Sequence, residues 1–380
     1  MALKLRIGSP VGGDDFFGRS VELAKAEALI EHNNLMLAAP RRVGKTSFAK
    51  KLLEIQKEKG WNTIFIDLEE ITSINHFFKA FHDELMKLPE ASLTDKITNK
   101  LKKWVSNAEF STSGIPVKAT IKISDQGAED FGILADVLNE LEHHTIVVFD
   151  ELTVLLESLL GKDNDEQTVR TFLNMFRALR SATTTKCSWL VCSSIGVRNF
   201  TTERKLSDTI NDIADFELGA YTDTEGIEFV RLLANSIGLD IDIKCTRYIL
   251  NKIGWNIPFF IQLILSRLTI GKVTKKDIDT AYEGLLQTGS FDTWNERLDK
   301  EYGKNKSTSK LILQYLCVHV DGKMRDEIIN YIHAAYPEMD SYEFGLLMRT
   351  LITDGYLVND SGRYKFRSPL LRDYWKVTYC

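Results

Sequence analysis

Asn34-Leu-Met-Leu-Ala-Ala-Pro-Arg-Arg-Val-Gly-Lys-Thr46 is the stretch on which the fold turns. Its first six residues form a short apolar run suited to a buried strand. A loop containing Pro, Arg and Gly follows. From Thr46 to Glu58, Phe48, Leu52 and Ile55 recur at helical spacing. The loop, Ala39 to Thr46, matches G-x-x-x-x-G-K-[ST] except that Ala39 replaces the first Gly. That spacing has a physical purpose. Consecutive backbone N–H groups must curl around a phosphate chain, and a helix N-terminus adds the positive end of its dipole. Gly44 allows close backbone approach. Lys45 is expected to reach the terminal phosphates, and the Thr46 hydroxyl to bind Mg²⁺. The expected nucleotide cradle is Ala39, Pro40, Arg41, Arg42, Val43, Gly44, Lys45, Thr46 and Ser47. A degenerate pattern of this kind arises by chance in roughly a few per cent of chains of this length. Its position between a strand and a helix is what makes it a functional signal.

Working outward, Thr63–Leu68, Thr145–Phe149, Ser188–Cys192 and, more weakly, Asp215–Leu218 read as further strands, rich in β-branched and aromatic residues. Helical patterns lie between them, such as Val169–Ala182 with Phe172, Phe176 and Leu179 on one face. Continuous apolar strands alternating with helices predict a parallel sheet covered on both faces. The third strand runs into Asp150-Glu151, at the edge where open α/β sheets bind ligands. One carboxylate, Asp150, can hold Mg²⁺ through water. The next, Glu151, can orient and deprotonate an attacking water. The fourth strand runs into Ser193-Ser194; Ser194 either senses a γ-phosphate or belongs to an ordinary turn.

Ile115–Ser124 alternates with period two and reads as a hairpin or edge strand. With Leu101–Trp104 it marks an insertion over about 92–130. From about Thr222 the strands stop, and 222–303 read as amphipathic helices. The polar stretch Lys304–Ser309 reads as a linker. Then come helix-like runs at Lys310–His319, Met324–Tyr336 and Ser341–Asp354. Strand Tyr356–Asn359, the turn Asn359–Gly362 and strand Arg363–Arg367 complete a winged-helix pattern. The expected domains are 1–221, 222–303 and 308–380.

The chain has 380 residues, 44% hydrophobic and 27% charged, as in an ordinary globular protein with a sizeable core. Its net charge of −5 argues against general coating of nucleic acid. No apolar run approaches a membrane span, and the N-terminus is too polar for a signal peptide. Five cysteines with no C-x-x-C pair suggest a reducing, cytoplasmic setting.

These residues together resemble the STAND/AAA+-like P-loop ATPases, especially the archaeal-type ATPase family. Phe16-Phe-Gly-Arg-Ser-Val-Glu-Leu23 is similar to its N-terminal box. Ala39–Ser47 is similar to its Pro-Arg-Arg-x-Gly-Lys-Thr-Ser loop, and Ser193–Gly196 to its sensor. Gly254–Gln262 resembles its lid motif, and Arg363–Trp375 its winged-helix ending. The chain departs from the pattern at Ala39, Ser193 and Trp255-Asn256. The resemblance implies an ASCE-type α/β P-loop sheet followed by a helical lid and a winged helix. It also implies binding of ATP and ADP with Mg²⁺, Pro258 packed near the base, and ATP-driven switching with slow hydrolysis. A homo-oligomer formed on ATP binding and a protein client of unspecified identity are its expected partners.

Several residues carry two readings at this level. Arg19 either touches nucleotide or pins the first helix. Arg198 and Arg204 follow the sensor strand, as a finger acting in trans or as surface charge. His143-His144 lack ligand-spaced partners, so no metal is expected there. The helix Ser341–Asp354 offers Arg349 against Glu343 and Asp354. The wing is basic, with Arg363, Lys365, Arg367, Arg372 and Lys376 against Asp373. That pattern supports weak phosphate contact with DNA and little base reading. The alternatives to an ATP-driven switch are an origin-recognition-like ATP-dependent DNA-binding protein and a nucleotide-bound scaffold with little turnover.

Overall fold

The computed structural model describes residues 3–90, 97, 99–101, 125–161, 165–193 and 196–380. Five strands form one parallel sheet: β1 (Asn34–Ala38), β2 (Asn62–Asp67), β3 (Thr145–Asp150), β4 (Cys187–Ser193) and β5 (Ile213–Glu217). Their order is β2-β3-β4-β1-β5. Every residue of β3 and β4 is buried, which explains their unbroken apolar runs. β5 lies at the edge, and only Ile213 and Phe216 are buried in it, so its sequence signal is weak.

Strand order decides what meets at the carboxyl edge. β4 is inserted between β1, which leads into the expected phosphate loop, and β3, which ends in Asp150. In register, Ala38 stands beside Ser193, and Asp67 beside Asp150.

Aromatic packing anchors that edge. Phe77, on the helix Ile74–Leu85, meets Phe78, Phe81, Phe131, Phe149 and Phe172 with ring centroids 5.3 to 6.1 Å apart. Burying each such ring stabilises the fold by about 1.5–3 kcal/mol. Phe149 directly precedes Asp150, so the core fixes the strand end that carries the acid. Truncating it to Ala would cost about 3–5 kcal/mol. The hairpin expected at 115–124 lies outside the described residues. The helix Asp125–Glu140 overlaps the end of the expected insertion and sends Phe131, Leu134, Val137 and Leu138 into this core.

From Asp223 onward helices dominate. Thr222 and Glu225 form a reciprocal capping box at the start of Asp223–Ser236, and Thr274 and Asp277 another at Lys275–Leu286. A short parallel pair, β6 (Leu239–Asp240) and β7 (Gly271–Lys272), ties this region together. Further on, the helix Lys306–Cys317 precedes β8 (Lys323–Met324) and the helices Arg325–His333 and Ser341–Thr353. The hairpin β9 (Leu357–Asp360) and β10 (Arg363–Phe366) follows, then the helix Pro369–Tyr379. The three strands are ordered β8-β10-β9, with both pairings antiparallel. Ser361 and Gly362 both take positive φ, the two-residue turn that suits strand twist. The stretch 304–309 is not a linker. Lys304 pairs with Glu343, a helix begins at Lys306, and Thr308 and Ser309 are buried.

The chain forms two compact units. One is Ser20–Ala38 with Lys45–Leu218; the other is Met1–Arg19, Ala39–Gly44 and Gly219–Cys380.

Candidate active site

In the sheet unit, the helix Lys45–Glu58 starts one residue earlier than its apolar spacing suggests, so Lys45 and Thr46 occupy its first turn. Lys45 is buried. The Thr46 hydroxyl donates to Asp150 Oδ2 at 2.6 Å. Asp150 is itself buried, and burial raises its pKa. The Thr46 hydrogen bond pulls it back, Glu151 pushes it up, Lys45 lowers it and Asp67 raises it.

Glu151 accompanies it in an unusual backbone state. Its φ and ψ are 56° and 43°, the left-handed region, and its N–H donates to Asp150 Oδ1 at 3.2 Å. A non-glycine residue there costs roughly 1–2 kcal/mol and persists only where the surroundings enforce it. Asp150 ends the strand, and Glu151 occupies the N-cap position of the helix Leu152–Leu160.

Two side-chain relationships are not visible in the sequence. Asp67 ends β2 beside Asp150, and its Oδ1 accepts from the Glu69 N–H at 3.0 Å. Its signal was present, an apolar strand ending in an acid as β3 does, but only register places the two side by side. The Thr153 and Ser193 hydroxyls lie 2.6 Å apart and both are buried, so Ser193 is held at the end of β4. Ser194 lies outside the described residues.

The loop residues Ala39–Gly44 pack within the other unit. Gly44 has φ of 103°, and a Cβ there would meet nothing within 4 Å. Backbone conformation, rather than crowding, calls for glycine. Val43 is buried, and its carbonyl accepts from Arg19 Nη2 at 3.4 Å. Arg19 also donates through Nη1 to the Ala220 carbonyl and through its N–H to Glu225, and its guanidinium lies 4.5 Å from the Tyr221 ring centre. Of its two readings, these contacts support a structural one, with the loop as one of the elements it holds. Arg42, also at positive φ, donates to the Gly8 carbonyl at 3.2 Å and stacks 4.7 Å over Phe259. Burial and the neighbouring Arg41 lower its pKa. Pro258 is the first residue of the helix Pro258–Leu265, directly before that Phe259. Arg41 and Arg42 line a cleft with Thr293, Trp294 and Arg297.

Residues 16–216 match the family described as an ATPase domain predominantly from Archaea. The chain belongs to this ATPase family. No curated protein matches it. Among solved structures, a Walker-type ATPase of Pyrococcus abyssi is similar over 98% of this chain and 99% of its own, with TM-score 0.68 and 16% identity. The ORC2 protein of Aeropyrum pernix, in its ADPNP–ADP complexes, is similar over 96% and 95%, with TM-score 0.56 and 11% identity. At these identities the likeness is one of fold.

In this ATPase both candidate finger arginines are engaged by their own unit. Arg198 donates through Nε to both Asp215 oxygens at 2.7 and 2.9 Å, and through Nη2 to the Ile213 carbonyl. Arg204 stacks 4.0 Å over Phe200. His143 pairs with Glu90, and His144 meets the Ser188 hydroxyl. Among the described residues no group of three or more His, Cys, Asp or Glu is arranged to hold a metal. Trp375 and Tyr374 are buried, and the Tyr374 hydroxyl donates to Asp292. No described helix is long and apolar enough to cross a membrane.

Proposed function

We propose that this ATPase is a Mg²⁺-dependent ATP-hydrolysing switch that couples nucleotide state to the arrangement of a helical lid and a winged helix. The observation that carries this reading is the 2.6 Å bond between Thr46 and Asp150. Two hard oxygen donors brought together where the helix after the expected phosphate loop begins suit Mg²⁺, which takes few protein ligands and keeps waters and phosphate oxygens. Mg²⁺ would neutralise charge on the terminal phosphate oxygens. The residues of the chain do the rest. Gly44 and the backbone N–H groups of the loop from Ala39 to Ser47, among which Pro40 has none, bind the phosphate chain. Lys45 holds the terminal phosphates, and its buried position strengthens that attraction. Glu151, next to Asp150 and at the start of the following helix, accepts the proton of the attacking water. That water adds to the γ-phosphorus as the bond to the β-bridging oxygen breaks, giving ADP and phosphate. We assign Ser194 to orienting the water or the γ-phosphate, and Pro258 to the base. Measuring ATP binding and turnover for wild type and Lys45→Ala tests the reading. It fails if the variant binds and hydrolyses ATP like wild type.

A DNA-facing role receives less support. The wing cations are largely spoken for: Lys365 pairs with Asp360 at 2.7 Å, Arg372 with Asp373 at 2.7 Å, and Arg367 lies 5.3 Å over Trp255. Cations already paired release few counterions from DNA. We therefore propose a protein client and, at most, weak contact with duplex DNA, with self-association on ATP binding and a cytoplasmic setting.

A further inference from the structure

We propose that Gly355 is a positioning residue for the phosphate loop, so that the C-terminal three-stranded region sets ATP affinity through a direct contact with Pro40. The inference rests on the reading of Ala39–Thr46 as the ATP-binding loop, and concerns how that site is regulated.

Gly355 follows the helix Ser341–Thr353 and has φ of 89°. A positive φ after a helix is an ordinary reason for glycine, and it does not account for the surroundings. A Cβ on Gly355 would lie 2.8 Å from Pro40 Cβ and 2.7 Å from Trp255 Cη2. Both distances are shorter than carbon atoms tolerate. The backbone of the C-terminal region therefore touches the second residue of the phosphate loop at a distance only glycine permits.

The preceding residue reaches the same loop by another route. Asp354 is wholly buried and accepts from Tyr302 at 2.7 Å and from Arg297 Nη2 at 3.2 Å. Arg297 in turn lines the cleft that Arg41 and Arg42 share with Trp294. The Tyr356 hydroxyl donates to the Trp294 carbonyl at 2.6 Å. Three consecutive residues, Asp354, Gly355 and Tyr356, thus abut the surroundings of Pro40, Arg41 and Arg42. A displacement of this turn must shift the loop or open a gap beside it. By linkage, nucleotide that orders the loop must also order the turn.

Gly362 supplies an internal control. It has φ of 88° in the β9–β10 turn, and a Cβ there meets only Met324, at 3.4 Å and beyond. Ala at either position carries the same backbone strain, but only Ala at 355 meets the loop. In the full chain, Gly355→Ala is expected to weaken Mg-ATP binding about 2- to 30-fold. Gly362→Ala should leave affinity unchanged while losing melting temperature through backbone strain alone. At saturating ATP the single-turnover rate of Gly355→Ala should fall much less than its affinity. If Gly355→Ala does not fold, hydrogen exchange on wild type decides: Mg-ATP should protect the amides of 354–356, and should not in Lys45→Ala. Wild-type affinity in a folded Gly355→Ala, equal loss in both glycine variants, or no added protection at 354–356 would overturn the inference. Equal ATP binding by wild type and Lys45→Ala would instead remove the reading of the loop on which it rests.

Discussion

Thr46 and Asp150, 104 residues apart in sequence, are joined by a hydrogen bond of 2.6 Å. It ties the first turn of the helix after the phosphate loop to the last residue of β3. Both residues are assigned to Mg²⁺ in the proposed reaction, and variants at and beside them should separate binding from chemistry. Lys45→Ala should weaken ATP binding itself, because its charge acts in ground and transition states alike. Glu151→Gln should retain or tighten binding while single-turnover hydrolysis falls about 10²–10⁴-fold, as for loss of a general base. Asp150→Asn should lose part of both. Wild-type hydrolysis by Glu151→Gln would show that the water is positioned by another group.

Backbone strain at Glu151 offers a second test. With φ of 56°, this position favours glycine over any residue bearing a Cβ. We expect Glu151→Gly to be more stable than Glu151→Ala by about 1 kcal/mol, in the same direction as the N-cap preference for Gly over Ala. Both should be inactive. Urea denaturation of the two nucleotide-free variants measures the difference; equal stability would mean that the left-handed turn is not kept.

Nucleotide should raise the melting temperature. A ligand bound only by the native state adds about 2.7 kcal/mol at 100 times its Kd. The gain should vanish in Lys45→Ala. A melt of wild type unchanged by saturating Mg-ATP would contradict the proposed site.

The pair formed by buried Arg180 and the more exposed Asp212 sets part of the acid stability. Burial opposes ionisation of Asp212, but the Arg180 guanidinium, donating at 2.9 and 2.7 Å, prevails and holds its pKa below the ordinary value. A depressed carboxylate contributes its full stability above the ordinary aspartate range, and loses it as pH falls towards the folded value. Asp212→Asn leaves the Arg180 side chain buried without its counter-charge. It should cost about 1–3 kcal/mol near neutral pH, and the gap to wild type should narrow on acidification. A gap that widens at low pH would show that the pair is not a net stabiliser.

Duplex DNA should bind weakly, with little sequence preference and a shallow salt dependence. Fluorescence anisotropy across a salt series checks this. Nanomolar, sequence-selective binding at physiological salt would show that the cations of β10 and the final helix are released from their present partners.

Local pattern was enough for the strands, the helix after the loop and the acid pair, because buried parallel strands and helix faces write their periodicities directly into the chain. β1 to β5 lie within two residues of their expected starts and ends. Gly44 was readable for the same reason, since it meets a local backbone demand. Contacts distant in sequence were not. Nothing near Asp67 shows that it will stand beside Asp150; that follows from β2 pairing with β3 in one register. Arg19 looked equally suited to nucleotide or helix until its guanidinium was seen at Val43 and Ala220. Lys304–Ser309 looked like a linker because its residues are polar, yet Ser309 is buried with its hydroxyl bonded to the Asn305 carbonyl. Gly355 directly follows the expected helix Ser341–Asp354, where a glycine is ordinary. That it also meets the Pro40 side chain could be decided only by tertiary packing, because a close approach between segments distant in sequence leaves no periodic trace in either.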